Sequence, residues 1–397
     1  MKSFDEVIDR RQTGSTKWDG HALMGVPAEA IPLWVADMDF PVMPEVTAAI
    51  NRRIAHEIYG YSLPSDSYYQ SLQGWMLRRH RWTTEKEWIL TVPGVVPAIN
   101  IAINAFTNPG DAVLIQPPVY PPFANSVLGN GRKLIKSPLI PEDGGYAVDL
   151  QDFEARIKAN AVKLFILCSP HNPVGRVWTP EELKGMADIC LKYDVLIVDD
   201  EIHHDLVFPG VRHYPLPALD AAYWDNTIVC TAPSKSFNLA GLQTSNVFIA
   251  NARLREQYFT QARCWGVSKV NAIGLVACEA AYTYGDEWMD AVMAYVAANA
   301  GYVREYIAEN IPAIKVTKSQ GLFLLWLDCN TLGLSPQELE SFFLNKASLW
   351  LNQGYTFGDE GNGFVRLNIA CSRSLLAKAM GQLKAAVEGS FGKDTGL

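Results

Sequence analysis

Lys235 stands in the stretch Ala232-Pro233-Ser234-Lys235-Ser236-Phe237-Asn238-Leu239-Ala240-Gly241-Leu242, directly after a short apolar run at 227–231. Its neighbours are small and apolar rather than charged, which puts the lysine at a strand end inside the protein. A buried lysine gives up its proton readily and becomes an amine nucleophile able to form a Schiff base. The same segment also suits a lysine that ends a strand and extends its amine to water. Four more chemistry-bearing segments follow apolar runs in the same way. Pro93-Gly94-Val95-Val96 follows 88–92, and Pro117-Pro-Val-Tyr120 follows 112–116. Ser169-Pro-His-Asn172-Pro173-Val-Gly175 follows 163–168, and Asp200-Glu201-Ile202-His203 follows 195–199.

Each segment has a structural reading when taken alone. Asn172-Pro173 with Gly175 suits a plain turn, Asp200 an N-cap, Tyr120 a core position, and Arg366 a surface ion pair. Together they supply an amine, a carboxylate, an amide, a flat ring and a helix start whose free N–H groups suit a phosphate. Asn172 lies 28 residues before Asp200, which lies 35 before Lys235, about one strand–helix–strand step each time. His203 and His204 beside Asp205 have metal-ligand chemistry, but adjacent residues of a strand face opposite sides, so no metal site is expected.

The elements that must carry these residues alternate. Further strand-like runs fall at 133–137 and 246–250, and a helix at 180–193 opens on Thr179, Pro180 and Glu182, a capping box with proline at its first position. Alternating β and α with near-continuous apolar strands predicts an α/β unit with a mostly parallel sheet covered on both faces. In such sheets, sites form at the carboxyl ends of the strands. Three parts are expected: an arm over 1–45 that contributes to the smaller unit, a large unit over 46–285 and a smaller α+β unit over 286–397. The smaller unit has a long helix from about 287 to 310, strands at 314–317, 322–327 and 364–369, and helices near 336–347 and 374–390. The basic run Arg78-Arg79-His80-Arg81 reads as favourable charge at a helix C-terminus.

Composition narrows the function classes. Lys+Arg 34 against Asp+Glu 42 gives a net charge of −8 without a basic stripe, which disfavours nucleic acid and anionic membranes as partners. The polar start Met1-Lys-Ser-Phe-Asp-Glu6 lacks a signal-peptide core, and no apolar run approaches a membrane span. Seven scattered cysteines without a C-x-x-C pair suit free thiols in a reducing compartment, so the cytoplasm is expected.

An amine, a ring-nitrogen carboxylate, a stacking aromatic, an amide for a ring oxygen and a phosphate seat are the parts that hold pyridoxal 5′-phosphate. The chain resembles the fold-type I pyridoxal-phosphate enzymes of the aminotransferase-like superfamily, and within them the MalY/PatB group of cystathionine β-lyases (C–S lyases). The resemblance rests on Leu33-Trp-Val-Ala-Asp-Met-Asp-Phe40, Pro93-Gly-Val-Val96, Pro118-Val-Tyr-Pro-Pro-Phe123, Pro170-His-Asn-Pro-Val-Gly-Arg176, Asp200-Glu-Ile-His203, Ser234-Lys-Ser-Phe-Asn238 and Gly363-Phe-Val-Arg-Leu-Asn368. It covers essentially the whole chain and implies a seven-stranded large-domain sheet of the aspartate-aminotransferase type.

The resemblance also implies roles. Lys235 is the Schiff-base lysine and the base for the Cα proton; Asp200 pairs with the pyridinium nitrogen, Asn172 bonds the ring hydroxyl and Tyr120 stacks on the ring. The Gly94 and Val95 amides with Ser234 hold the phosphate, and His203 belongs to the cofactor site. Arg366 clamps the substrate carboxylate, with Ala36, Asn172 and Tyr61 also at the substrate. Tyr61 reaches the phosphate of a neighbouring subunit, implying a homodimer with shared sites. The sequence departs from the wider superfamily at Ala232, often serine, and at Gln243, where aminotransferases carry a phosphate-binding arginine. It also lacks the Thr-Tyr that the subgroup would bring to Gly321-Leu322-Phe323. The implied reaction is β-elimination from cystathionine or another S-substituted cysteine to a thiol, pyruvate and ammonia. Amino transfer is the alternative, and a regulatory protein retaining the fold a third.

Overall fold

Seven strands hydrogen-bond into one sheet: β1 (Ile89–Val92), β2 (Ala112–Ile115), β3 (Lys133–Lys136), β4 (Leu164–Cys168), β5 (Leu196–Asp200), β6 (Thr227–Thr231) and β7 (Ser245–Phe248). Their order is β1-β7-β6-β5-β4-β2-β3. From β3 across to β6 every pairing is parallel, whereas β7 runs antiparallel to both β6 and β1. Only two short turns, Pro233–Ser236 and Ala240–Leu242, separate β6 from β7, so the chain returns by reversing direction, as an antiparallel neighbour permits. This computed structural model describes residues 3–391. Residues 1–2 of the expected arm and polar start, and 392–397 of the expected small unit, lie outside the described residues.

The inner strands are buried on both faces because both faces are covered, whereas the edge strand β3 carries a lysine at each end. Val113, Ile115, Ile166, Val198, Ile228 and Val247 pack under α3 (Val95–Phe106), α4 (Pro121–Gly129) and α7 (Ala252–Cys264). The alternate residues Leu114, Phe165, Leu167 and Ile197 face α5 (Leu150–Asn160) and α6 (Pro180–Lys192). Side chains alternate along a strand, so each run of four or five residues feeds two cores. Each fully buried Val, Leu or Phe contributes about 1.5–3 kcal/mol, which makes the sheet a rigid floor for whatever follows its strand ends. The capping box read at Thr179 and Glu182 is present.

A third core joins α1 (Pro44–Ile54), α2 (Asp66–His80), α8 (Ala272–Tyr284), α9 (Asp286–Asn310) and α10 (Arg373–Phe391) to a second sheet. That sheet contains β8 (Lys315–Val316), β9 (Leu324–Asp328), β10 (Asn352–Gln353) and β11 (Phe364–Asn368), in the order β8-β9-β11-β10 and antiparallel throughout. The arm is tied to this part of the molecule: Ile31–Pro32 pairs in parallel with Leu349–Trp350. The helix expected over 336–347 divides into Pro336–Ser341 and a π-turn over Phe342–Lys346.

Two sequence expectations change here. Arg78 and Arg79 do set charge at the C-terminal end of α2, pairing with Asp286 and Asp290, but His80 turns inward to Asp205. Residues 203–205 are not strand: β5 ends at Asp200 and the chain turns at once. The alternation used to separate His203 from His204 therefore does not apply. Among the described residues, no helix is long and apolar enough to cross a membrane.

Candidate active site

The carboxyl ends of the large sheet's strands open into a cavity of about 640 Å³. Gly94, Val95, Tyr120, Asn172, Asp200, His203, Ser234 and Lys235 line it from the large sheet's side, Ala36 from the arm and Arg366 from β11. Ten residues singled out from the sequence thus meet at one place. Tyr61 does not: it is 99% exposed and its ring faces Lys269 Nζ at 5.1 Å. An open groove of about 920 Å³ between α1, α2 and α8 shares none of these residues.

Lys235 sits in a single helical turn, Pro233–Ser236, begun by proline and joined to the end of β6 by Ala232 alone. Its amine donates to the Ala36 carbonyl at 2.7 Å. Burial, assisted by the Arg366 charge and opposed by Asp37 and Asp200, lowers its pKa to about 8. Asp200 is the last residue of β5 and accepts the Ile202 N–H at 3.1 Å. Burial raises its carboxyl to about 7, against the Ile202 hydrogen bond and the Lys235 charge. A cation set against this carboxylate would restore its ionised form.

Arg366 reaches the cavity from the small sheet. Its guanidinium donates to Asn172 Oδ1 at 3.1 Å, to the Trp34 carbonyl at 2.9 Å and to Asn352 Oδ1. It lies 5.0 Å from the Phe357 ring centroid. All of these partners are neutral, and its Nε has none. Burial draws the pKa down to about 10, so Arg366 is still a cation at neutral pH, poised for an anion that the fold does not supply. A planar fork of this kind suits a carboxylate.

The remaining residues are set by their local structure. Gly94 adopts φ +117°, ahead of α3. Its N–H donates to the Val92 carbonyl at 2.9 Å, so the free amides at this helix start are those of Val95 and Val96 rather than Gly94. Tyr120 caps the start of α4 with its ring edge toward Phe123 at 5.9 Å, and burial raises its phenol pKa. His203 is buried with Nδ1 lacking a partner; burial, then the Lys235 and Arg366 charges, hold it neutral. The arm loop that carries Ala36 is pinned on both sides of that residue. Asn368 Nδ2 donates to the Val35 and Asp37 carbonyls at 2.6 and 2.7 Å. Asn238 Nδ2 donates to those of Met38 and Phe40 at 2.9 and 3.0 Å.

Sequence reasoning missed several lining residues: Thr16, Trp34, Cys168, Asn352 and Phe357. Trp34 lay inside a segment already singled out, whereas Asn352 has no local signature beyond being a polar residue just after the apolar run Leu349-Trp-Leu351. At the phosphate end, Gln243 lines the cavity where a cation was absent from the sequence pattern. The volume is that of a small-ligand site. Its unpartnered Arg366 and His203 nitrogens, buried amine and carboxyl, and open helix start fit pyridoxal phosphate.

This fold and site define a member of the class I and II aminotransferases, and the signature of that family matches residues 28–383. The chain belongs to this family. Among its relatives is cystathionine beta-lyase PatB of Bacillus subtilis (strain 168), 40% identical over 97% of this chain and 100% of that protein. Protein MalY of Escherichia coli (strain K12) is 32% identical over 98% and 99%. The crystal structure of cystalysin from Treponema denticola, which contains a pyridoxal 5′-phosphate cofactor, superposes with a TM-score of 0.95. It is 36% identical and covers 98% of this chain and 99% of that one. The family resemblance and the fold class read from the sequence are borne out.

Proposed function

We propose that the protein is a pyridoxal 5′-phosphate-dependent carbon–sulfur β-lyase that cleaves L-cystathionine, or a related S-substituted cysteine, to a thiol, pyruvate and ammonia. The observation that carries this reading is the convergence on one cavity of a buried amine at Lys235 and an anion-seeking guanidinium at Arg366. When bound, pyridoxal phosphate supplies an electron sink that acidifies the substrate Cα–H.

The chain's own residues do the rest. Arg366 grips the α-carboxylate and fixes which Cα bond faces Lys235. Lys235, whose pKa burial lowers to about 8, gives up its proton more readily than an ordinary lysine; as the free amine it takes the Cα proton, and the electrons left on Cα form the Cα–Cβ double bond as sulfur leaves Cβ as a thiol or thiolate. Asp200 would set its carboxylate against the ring nitrogen. Asn172, whose Oδ1 is occupied by Arg366, has its Nδ2 donors for the ring hydroxyl, and Tyr120 would stack on the ring. Val95, Val96 and Ser234 would hold the phosphate with neutral donors, and His203 would border the ring without adding charge. The relationship to a named cystathionine β-lyase favours elimination over amino transfer, which the same fold accommodates.

The protein acts as a homodimer, with Tyr61 completing the partner's site. Support comes from exposed Ile58, Tyr59, Tyr61 and Leu63, a cluster of apolar side chains in one short segment. The parts are an arm over 1–45, a cofactor-binding unit over 46–285 and a smaller unit over 286–397. With cystathionine the thiol is homocysteine, a methionine precursor. The cytoplasm suits the seven unpaired cysteines.

The deciding experiment incubates yellow, cofactor-loaded protein with cystathionine and no keto acid. Pyruvate and thiol release is expected. Keto-acid-dependent amino transfer without pyruvate would select the aminotransferase, and neither reaction, with cofactor bound, the regulatory reading.

A further inference from the structure

A buried charge cluster outside the cavity has no part in the chemistry above, yet it touches the turn that carries Lys235. Its centre is Asp205, 5% exposed, in the turn after β5. Asp205 Oδ1 accepts the Trp75 indole N–H at 2.9 Å and meets His80 Nε2 at 2.8 Å, both from α2. Oδ2 accepts the Ser236 hydroxyl at 2.6 Å and lies 3.0 Å from His204 Nε2. Behind His204 stand Glu201, His213 at 3.2 Å from Glu201, and Asp199, all buried.

Ser236 follows Lys235 directly and is fully buried, away from the cavity that Lys235 lines. Asp205 shares its segment with Asp200 and His203. One carboxylate therefore joins three pieces of chain: the segment with Asp200, the turn with Lys235, and α2. A buried carboxylate is stable only when its lone pairs are filled, so these contacts hold one another in place. His80, His204 and Asp205 also place possible ligand atoms within 4.8 Å of one another. However, Trp75 and Ser236 already donate to the two Asp205 oxygens, and an ion would have to displace them.

We propose that Asp205, through the Ser236 hydroxyl, is a positioning residue for Lys235, fixing the amine relative to Asp200. The proposal rests on Lys235 being the cofactor lysine. Ser236→Ala, Ser236→Thr and Asp205→Asn holoenzymes test it. For Ser236→Ala, cofactor uptake and KM should stay within about twofold while kcat falls on the order of tenfold, as slight misplacement of a reacting group produces. The pH midpoint of the bound-cofactor absorbance should move by about half a unit or more. Ser236→Thr, which keeps the hydroxyl, should restore both readouts, and Asp205→Asn, if it folds, should shift the midpoint in the same sense. An unshifted midpoint with unchanged kcat in Ser236→Ala overturns the proposal. So does a loss that only tracks lowered thermal stability, with the midpoint unmoved. Wild-type protein showing no cofactor absorbance would instead overturn the assignment of Lys235, and the proposal with it.

Discussion

The Lys235 amine and the Ala36 carbonyl oxygen are 2.7 Å apart although 199 residues separate them in sequence. The contact joins the arm to the turn beyond β6, and it gives the amine a neutral partner. A carbonyl accepts one ammonium proton without matching the charge, so burial prevails and the pKa falls to about 8. A carboxylate in the place of that carbonyl would have held the lysine protonated and idle.

Replacing the lysine tests this arrangement most directly. Lys235→Ala removes a buried amine and leaves no charge stranded, so the protein should fold with a thermal midpoint close to wild type. It should lose turnover, and borohydride treatment should add no cofactor mass to the chain, whereas wild type should gain it. A variant that turns over and still acquires the mass would show that another amine does the work.

Much of this was legible because strand ends are legible. Lys235, Asp200, Asn172 and Tyr120 each follow an apolar run, and the parallel-sheet rule sends such residues to one edge. Arg366 needed the family resemblance, since it comes from another sheet and its register with the cavity is a tertiary matter. Asn352, which with the Trp34 carbonyl orients Arg366, left no local mark, and both roles exist only once β10, β11 and the arm pack together. His80 was misread for a related reason. A histidine in a basic run at a helix end looks like charge set against the helix C-terminus, and only packing against residue 205 turns it inward.

Asp200 gives the apoprotein a pH signature. Its carboxyl titrates near 3.8 when unfolded and near 7 when folded, so between those values the folded state binds more protons. Stability then falls as pH rises from about 4 to 7, by on the order of a few kcal/mol. Lys235 has the opposite displacement, about 8 folded against 10.5 unfolded, so its contribution rises with pH across 8 to 10.5. Urea unfolding of apoprotein at pH 5 and 7 should show wild type losing more stability than Asp200→Asn. Equal losses would mean that Asp200 is ionised in the apo fold.

Arg366→Lys is expected to separate charge from geometry. Both side chains are cations, but the guanidinium spends N–H groups on Asn172, Trp34 and Asn352 and still has its Nε free. An ammonium has three donors and no fork. It must either leave those buried oxygens short of partners or turn away from the substrate carboxylate. KM should therefore rise about 30-fold, the equivalent of ~2 kcal/mol for a lost charge-assisted pair. The chemical step, which depends on Lys235, should slow less. Steady-state kinetics on cystathionine and on an S-substituted cysteine methyl ester give the check. The ester lacks the carboxylate charge, so the variant should lose little against wild type on it. An equal penalty on acid and ester would show that Arg366 supports the fold of the cavity rather than gripping the substrate.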